Sequence, residues 1–554
     1  MMIMSFTHDA GSLARSLRLQ RAPAATALAA LALLAFDTSA LAGQARGHGR
    51  CTGGSPDTVC TAQGPVKGVA ESGTLAFKGI PYAQAPVGAL RWRPPAPPVA
   101  WQGVRDGSQF GAVCPQLSGT EVIGQEDCLT LNVWKPLAPP SRALPVMVFL
   151  TGGGNHSFSG QGSPGFGGVR YNGHLLAPEG VIHVSFNYRL GALGFLAHPA
   201  LSAERAQRIS GNYGSLDQVA MLAWIQKNIA AFGGDPKRVM VFGTSAGGGN
   251  ICALMTAPSA RGLFQRAAMQ SSVPTGCELP TLSVAESGTG ARVAQALGCD
   301  GGPATAACLR GKSTADVVRA LPGTFGVLPR LYGPNVDGHV FPRQPRALIE
   351  RGAYNRVPVI IGNSTAETMQ FVNAVGPVTD EASYEAAIGQ VFGAGNMPRI
   401  RGAYPLAAYS TPREALVRLT TDALFTCQSR RIARLLSREQ REPVYRYLFD
   451  HVLANDPAQL ALGAVHTIEH AFLFAWEGSY VPTADDLSVQ ALMVSNWTRL
   501  ARTGRLASWG SNAWPEQQRG DPFLRIAPTA TVEAGDAGAQ CDFWDTVPLP
   551  QPHL

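Results

Sequence analysis

Ser245 stands in Gly243-Thr244-Ser245-Ala246-Gly247, a Gly-x-Ser-x-Gly string. Small residues on either side let a chain reverse so tightly that the serine hydroxyl projects clear of the backbone, the geometry of a nucleophile elbow. Alone the string is a weak signal, because 62 glycines in 554 residues make chance matches common. Its surroundings strengthen it. Val239-Met240-Val241-Phe242 has strand character, and Ile251 to Met255 continues as an apolar stretch beyond the glycines. Three glycines at the start of a helix cost about 1 kcal/mol each relative to alanine, which is tolerable where another backbone must pass close by. The bland alternative is an ordinary turn serine.

A serine hydroxyl attacks a carbonyl only when a base takes its proton. That base needs an acid to fix its tautomer and stabilise the imidazolium. With the nucleophile on a strand-turn-helix elbow, the acid and then the histidine follow later in the chain. His466, in Gly463-Ala464-Val465-His466-Thr467, comes after the late apolar run Val444 to Phe449 and suits the base. His451, at the end of that run, reads as a packed or solvated residue. Glu367, six residues beyond Ile361, fits the acid, and Asp422 and Asp450 fit less well. The developing oxyanion needs amide donors. Gly153 and Gly154, after the run Pro145 to Leu150, would supply two, and Ala246 the third.

These groups need a rigid frame. Largely apolar runs at 145–150, 181–186, 239–242, 357–361 and 444–449 read as strands covered on both faces, and 264–270 reads as a further strand. Glu126 to Trp134 and Thr74 to Phe77 read as further strands. Gly214 to Phe232 has helical spacing and stops at Gly233-Gly234-Asp235-Pro236. The alternation predicts an α/β fold with one mostly parallel sheet. No repeat or low-complexity linker interrupts it, so residues 43–554 are expected to form one domain.

Residues 1–42 differ in kind. Arg15, Arg18 and Arg21 precede an apolar run from Ala24 to Phe36, then Ala40-Leu41-Ala42, the layout of a signal peptide cleaved after Ala42. The run falls short of the roughly 18 apolar residues of a membrane span, and no later stretch reaches that length. Export to a secreted or periplasmic location follows. Three Arg against Asp9 and Asp37 give this segment +1, leaving +6 of the chain's +7. The basic residues are scattered, which argues against nucleic-acid binding. Ten cysteines in an exported chain are expected to form disulfides, and proximity suggests Cys51 with Cys60, Cys114 with Cys128 and Cys299 with Cys308. No Cys-x-x-Cys is present, so a thiolate zinc site has no support, and no metal or other cofactor is implied.

Phe77 to Arg91 (FKGIPYAQAPVGALR), Glu126 to Pro136 (EDCLTLNVWKP), Gly211 to Gln218 (GNYGSLDQ), Phe242 to Gly248 (FGTSAGG), Gln270-Ser271, Val336-Asp337-Gly338 and Cys541-Asp542-Phe543-Trp544 are set across nearly the whole chain after residue 43. Together they resemble the type-B carboxylesterases, the cholinesterase-like branch of the α/β-hydrolases. The resemblance implies a serine esterase acting on a small-molecule ester, with nucleophile Ser245, acid Glu367 and base His466. It also implies bridges Cys114 with Cys128, Cys299 with Cys308 and Cys427 with Cys541. Cys51 with Cys60 then remains a local pair, and Cys252 with Cys277 a fifth. Two positions depart from the family pattern: Thr151 stands where a histidine usually opens the oxyanion loop, and Thr467 where glycine usually follows the catalytic histidine. Residues 115–127 contain no aromatic residue. A tryptophan in that loop holds choline in the cholinesterases by cation-π attraction, so choline esters are not the expected substrates.

Two rival readings exist. His466-Thr467-Ile468-Glu469-His470 spells His-x-x-Glu-His, a metallopeptidase motif with His466 and His470 on zinc and Glu469 as base. The other rival is a non-catalytic cholinesterase-like binding protein, against which the complete set Ser245, Glu367 and His466 argues.

Overall fold

Val146, Val148 and Leu150 alternate with Met147 and Phe149, and the two sets enter different apolar clusters on opposite sides of one sheet. Successive side chains of a strand point to opposite faces, so a run that is apolar at every position must be covered twice. The computed structural model describes residues 55–549 other than 139–140, 163–168, 273–276, 509–512, 518–519 and 536. The expected signal peptide and Cys51 lie outside the described residues.

The main sheet has eleven strands. In chain order they are β1 (Val69–Glu71), β2 (Thr74–Pro81), β3 (Thr130–Pro136), β4 (Leu144–Leu150), β5 (Ile182–Phe186), β6 (Gly234–Thr244), β7 (Arg266–Gln270), β8 (Val359–Ser364), β9 (Val444–Phe449), β10 (Pro522–Ile526) and β11 (Thr531–Ala534). Their spatial order is 11-10-9-8-7-6-4-5-3-2-1. The pairings from β5 through β10 are all parallel. Those at both ends are antiparallel. The centre is therefore the expected parallel sheet. The sequence reading missed β10 and β11, which are short, begin with a proline and a threonine, and carry Arg525 and Glu533 paired across the strands.

One face is covered by α1 (Tyr213–Asn228), whose Met221, Leu222 and Ile225 join Val146 and Val148. A 3-10 turn, Ile229–Phe232, extends it to Gly233, where a left-handed φ of 88° ends the helix as expected. α2 (Ala246–Thr256) follows β6 on the same side. The other face is covered by α4 (Ala484–Thr503), with Val489, Met493, Trp497 and Leu500 against Met147, Phe149 and Phe242. A further cluster holds the helical stretch 381–426 to the C-terminal residues Cys541 and Trp544, and Cys427, at the start of α3 (Cys427–Glu439), bonds to Cys541. Cys114–Cys128, Cys252–Cys277 and Cys299–Cys308 are also bridged. Cys60 is disulfide-bonded as well.

Candidate active site

The glycines around Ser245 are demanded by the end of β4. A Cβ on Gly247 would lie 2.1 Å from the Leu150 carbonyl oxygen, and one on Gly243 2.6 Å from the same atom. β4 thus passes directly under the turn, the close backbone approach that the glycine spacing predicts. Ser245 sits at the apex with φ 53° and ψ −124°, between β6 and the first residue of α2. That region is unfavourable for a residue with a Cβ, and the surrounding bonds hold it there. The Ser245 amide donates to Gln270 O at 2.9 Å.

Glu367 and His466 come from the loops after β8 and β9, adjacent strands of the sheet. The Ala366 amide donates to Ala464 O at 2.9 Å, and Ala366 bridges to Val465, so the two loops are stitched beside the two side chains. His466 Nδ1 lies 2.5 Å from Glu367 Oε2. The Ser364 amide donates to Glu367 Oε1 at 2.7 Å, so both oxygens of this fully buried carboxylate are engaged. The rings of Phe371 and Phe425 lie 5.2 and 5.3 Å from the imidazole. The three candidate residues thus reach the same edge of the sheet, beyond the C-terminal ends of β6, β8 and β9. Among the described residues Ser245 Oγ makes no hydrogen bond; in unliganded sites such bonds commonly tighten only with substrate bound.

Gly153 and Gly154 turn the chain after β4 with φ of 82° and 60°. A Cβ on Gly153 would meet Ser157 O at 2.2 Å, so no other residue fits. The Gly153 carbonyl accepts the amides of His156 and Ser157, both at 3.0 Å. This closes the turn and leaves the Gly153 and Gly154 amides without an acceptor among the described residues. Ala246 opens α2, where first-turn amides have no intrahelical partner. Gly152 lies against Ser245, since a Cβ there would be 2.9 Å from Ser245 Cβ. Tyr188 anchors the loop from behind, its hydroxyl donating to Thr151 O at 3.0 Å and Asn155 Oδ1 at 3.3 Å.

The sequence profile of the Carboxylesterase family matches residues 55–544. The chain belongs to the carboxylesterase family. This carboxylesterase is 35% identical over 479 residues to the fumonisin B1 esterase of Sphingopyxis macrogoltabida, covering 83% of this chain and 84% of that one. It is 34% identical to the para-nitrobenzyl esterase of Bacillus subtilis (strain 168), over 82% and 92% of the two chains. It is also similar to a solved PNB esterase structure, with TM-score 0.76 and 31% identity over 88% of this chain and all of that one. Its fold is that of the α/β-hydrolases, and its reaction class is carboxylic ester hydrolysis.

Other residues of the carboxylesterase singled out by sequence lie elsewhere or act differently. Asp422 accepts from Tyr404 and Arg418, Asp450 from Arg525 and Thr365, and His451 pairs with Asp486. The zinc spacing does not lie on a continuous helix. Thr467 is left-handed at φ 66° and the following Ile468–Phe472 is a 3-10 turn, so His466 and His470 do not stand on one helical face. His470 is buried beside the Tyr171 hydroxyl, with its pKa pushed down to about 3 by burial. The left-handed φ at Thr467 also explains why glycine suits that position.

Sequence reasoning named Glu469 only within the His-x-x-Glu-His string, and it missed His156. Glu469 lies behind the candidate acid, accepting from Ser271 Oγ at 2.9 Å and from Ser364 Oγ and Tyr447 Oη at 3.4 Å. Burial first, and then the Glu367 charge, raise its pKa to about 7. His156 braces the oxyanion loop. Its Nε2 donates to Thr324 O at 3.2 Å, its Nδ1 accepts from Ser157 Oγ at 2.9 Å, and its ring centre lies 4.4 Å from that of Phe325. Burial lowers its pKa, which favours this neutral tautomer. Its place just after the glycines, in Gly154-Asn155-His156, was the available signal.

Proposed function

We propose that this carboxylesterase hydrolyses esters through an acyl-enzyme, with Ser245 as nucleophile, His466 as base and Glu367 as acid. His466 Nε2 takes the Ser245 proton as Oγ attacks the carbonyl carbon. The oxyanion is held by the amides of Gly153, Gly154 and Ala246. Collapse of the tetrahedral intermediate breaks the bond to the alcohol oxygen, which receives the proton from His466. Water, deprotonated by the same imidazole, then repeats the attack and releases the acid. Glu367 stays ionised throughout, fixing the proton on Nδ1 and stabilising the imidazolium.

The observation that carries this reading is the 2.5 Å contact of His466 with Glu367, on loops that end at the same edge as the strained Ser245 turn. Ser245→Ala should abolish turnover of a p-nitrophenyl ester while the melting temperature stays near that of the parent. A folded variant of full activity would refute it. Export through the signal peptide of residues 1–42, and a single domain over 43–554, belong to the same proposal. The disulfides among the described residues support an oxidising location. The 114–128 loop brings no aromatic ring to the site, which supports substrates other than choline esters.

A further inference from the structure

Asn155 and Asn250 are polar side chains sealed in the interior between the two segments that carry the candidate oxyanion donors. Gly153, Gly154 and Asn155 are three successive residues with left-handed φ, at 82°, 60° and 61°. Glycine tolerates that region freely, whereas Asn155 carries a side chain and must be held there. The Asn155 carbonyl accepts the Gly191 amide at 2.7 Å. Its side-chain Nδ2 donates to Tyr332 O at 3.4 Å, and Oδ1 accepts from Tyr188 Oη at 3.3 Å and from Asn250 Nδ2 at 2.8 Å. Because the Tyr332 carbonyl can only accept, the Asn155 amide has one orientation, and Asn250 must offer it an NH2.

The bond between the two asparagines spans 95 residues of sequence. It joins the loop after β4 to α2, the helix that Ser245 precedes and Ala246 opens. Asn250 lies four residues beyond Ala246, about one turn into that helix. The two side chains are 0% and 1% exposed, so water does not compete for the bond. Asn250 Oδ1 is buried and has no partner among the described residues. An apolar side chain of the same outline would avoid that desolvated oxygen, so the amide is kept at a cost to the fold for what its NH2 donates. Steric packing limits only how closely the two segments approach: a Cβ on Gly152 would lie 2.9 Å from Thr244 O, and one on Gly247 2.9 Å from Thr151 O. A directional hydrogen bond also fixes how they are turned.

We infer, resting on the Ser245 reading given above, that Asn250 and Asn155 are positioning residues, a clamp that sets the Gly153 and Gly154 amides against the Ala246 amide. Donors from two segments stabilise one developing oxyanion only where each stands about 3 Å from it, and fixed placement is what makes them strong. Both asparagines act through those amides and not on the substrate. With the clamp removed the loop turns relative to α2, and the hole loses its fit to the oxyanion while His466 and Glu367 keep their contact.

Asn250→Leu keeps the outline of the side chain and removes the donor, and Asn155→Gly keeps the left-handed turn and removes the acceptor. Each should lower kcat/KM for p-nitrophenyl butyrate roughly ten- to a hundredfold, and Asn250→Leu should melt no lower than the parent. The specific readout is butyl trifluoromethyl ketone. Ser245 Oγ adds to its carbonyl carbon, His466 takes the proton, and the former carbonyl oxygen becomes an oxyanion in the hole. Affinity for the ketone should fall by the same factor as kcat/KM, while affinity for the matching carbinol, which cannot form an oxyanion, stays at the parent value. The pH at which kcat/KM falls as His466 is protonated should not move. The double variant should be no slower than Asn155→Gly alone, because one bond cannot be lost twice. Additive losses, a shifted pH profile, or slower turnover with parent affinity for the ketone overturns the clamp. If Asn250→Leu behaves as the parent while Ser245→Ala abolishes ketone binding, the clamp fails and the Ser245 reading stands; turnover and ketone binding that survive Ser245→Ala overturn both.

Discussion

Glu367→Gln separates the proposed acid from the second buried carboxylate behind it. The substituted side chain keeps an oxygen for the Ser364 amide, so the loop should hold. Toward His466 it presents an NH2, and Nδ1 must then accept. The imidazole proton moves to Nε2, the nitrogen that should receive the serine proton, and the base is lost. This wrong-tautomer effect lowers kcat by about 10^4, about 5.5 kcal/mol of transition-state stabilisation. Glu469 cannot substitute, because its oxygens are taken by Ser271, Ser364 and Tyr447 and make no bond to His466. Glu469→Gln should therefore cost no more than about 10- to 100-fold, the usual range for a group that supports a ligand of the reaction. Steady-state hydrolysis of p-nitrophenyl butyrate by both variants decides the matter. A Glu367→Gln enzyme within tenfold of the parent, together with a heavier loss in Glu469→Gln, would transfer the role to Glu469.

Thr467→Gly relieves a β-branched residue of its left-handed φ and should stabilise the fold by about 1 kcal/mol after the added freedom of the unfolded chain is subtracted; a lowered melting temperature would contradict the strain. Glu469 binds its proton more tightly folded than unfolded, so its contribution is full below about pH 4.5 and is lost as pH rises toward about 7. The melting temperature of Glu469→Gln relative to the parent should accordingly climb across that window, and a gap that shrinks with rising pH would reverse the sign. The Cys427–Cys541 bridge closes a separation of 114 residues, against 9 for Cys299–Cys308. Chain entropy assigns the longer loop about 4.7 kcal/mol, so its double alanine variant should show the larger drop in denaturation midpoint.

What the sequence by itself determined was local. The elbow was legible because its glycines and its strand are contiguous, and because close packing against Leu150 leaves no room for other residues. The central strands were legible because a strand covered on both faces must be apolar at every position. The family motifs pointed to Glu367 and His466 without saying what brings them together. That was settled by the parallel pairing of β8 with β9 and the Ala366–Val465 bridge, which join residues 99 apart in the chain. Tertiary structure also decided that His466 and His470 serve different networks, since one left-handed residue redirects the chain between them.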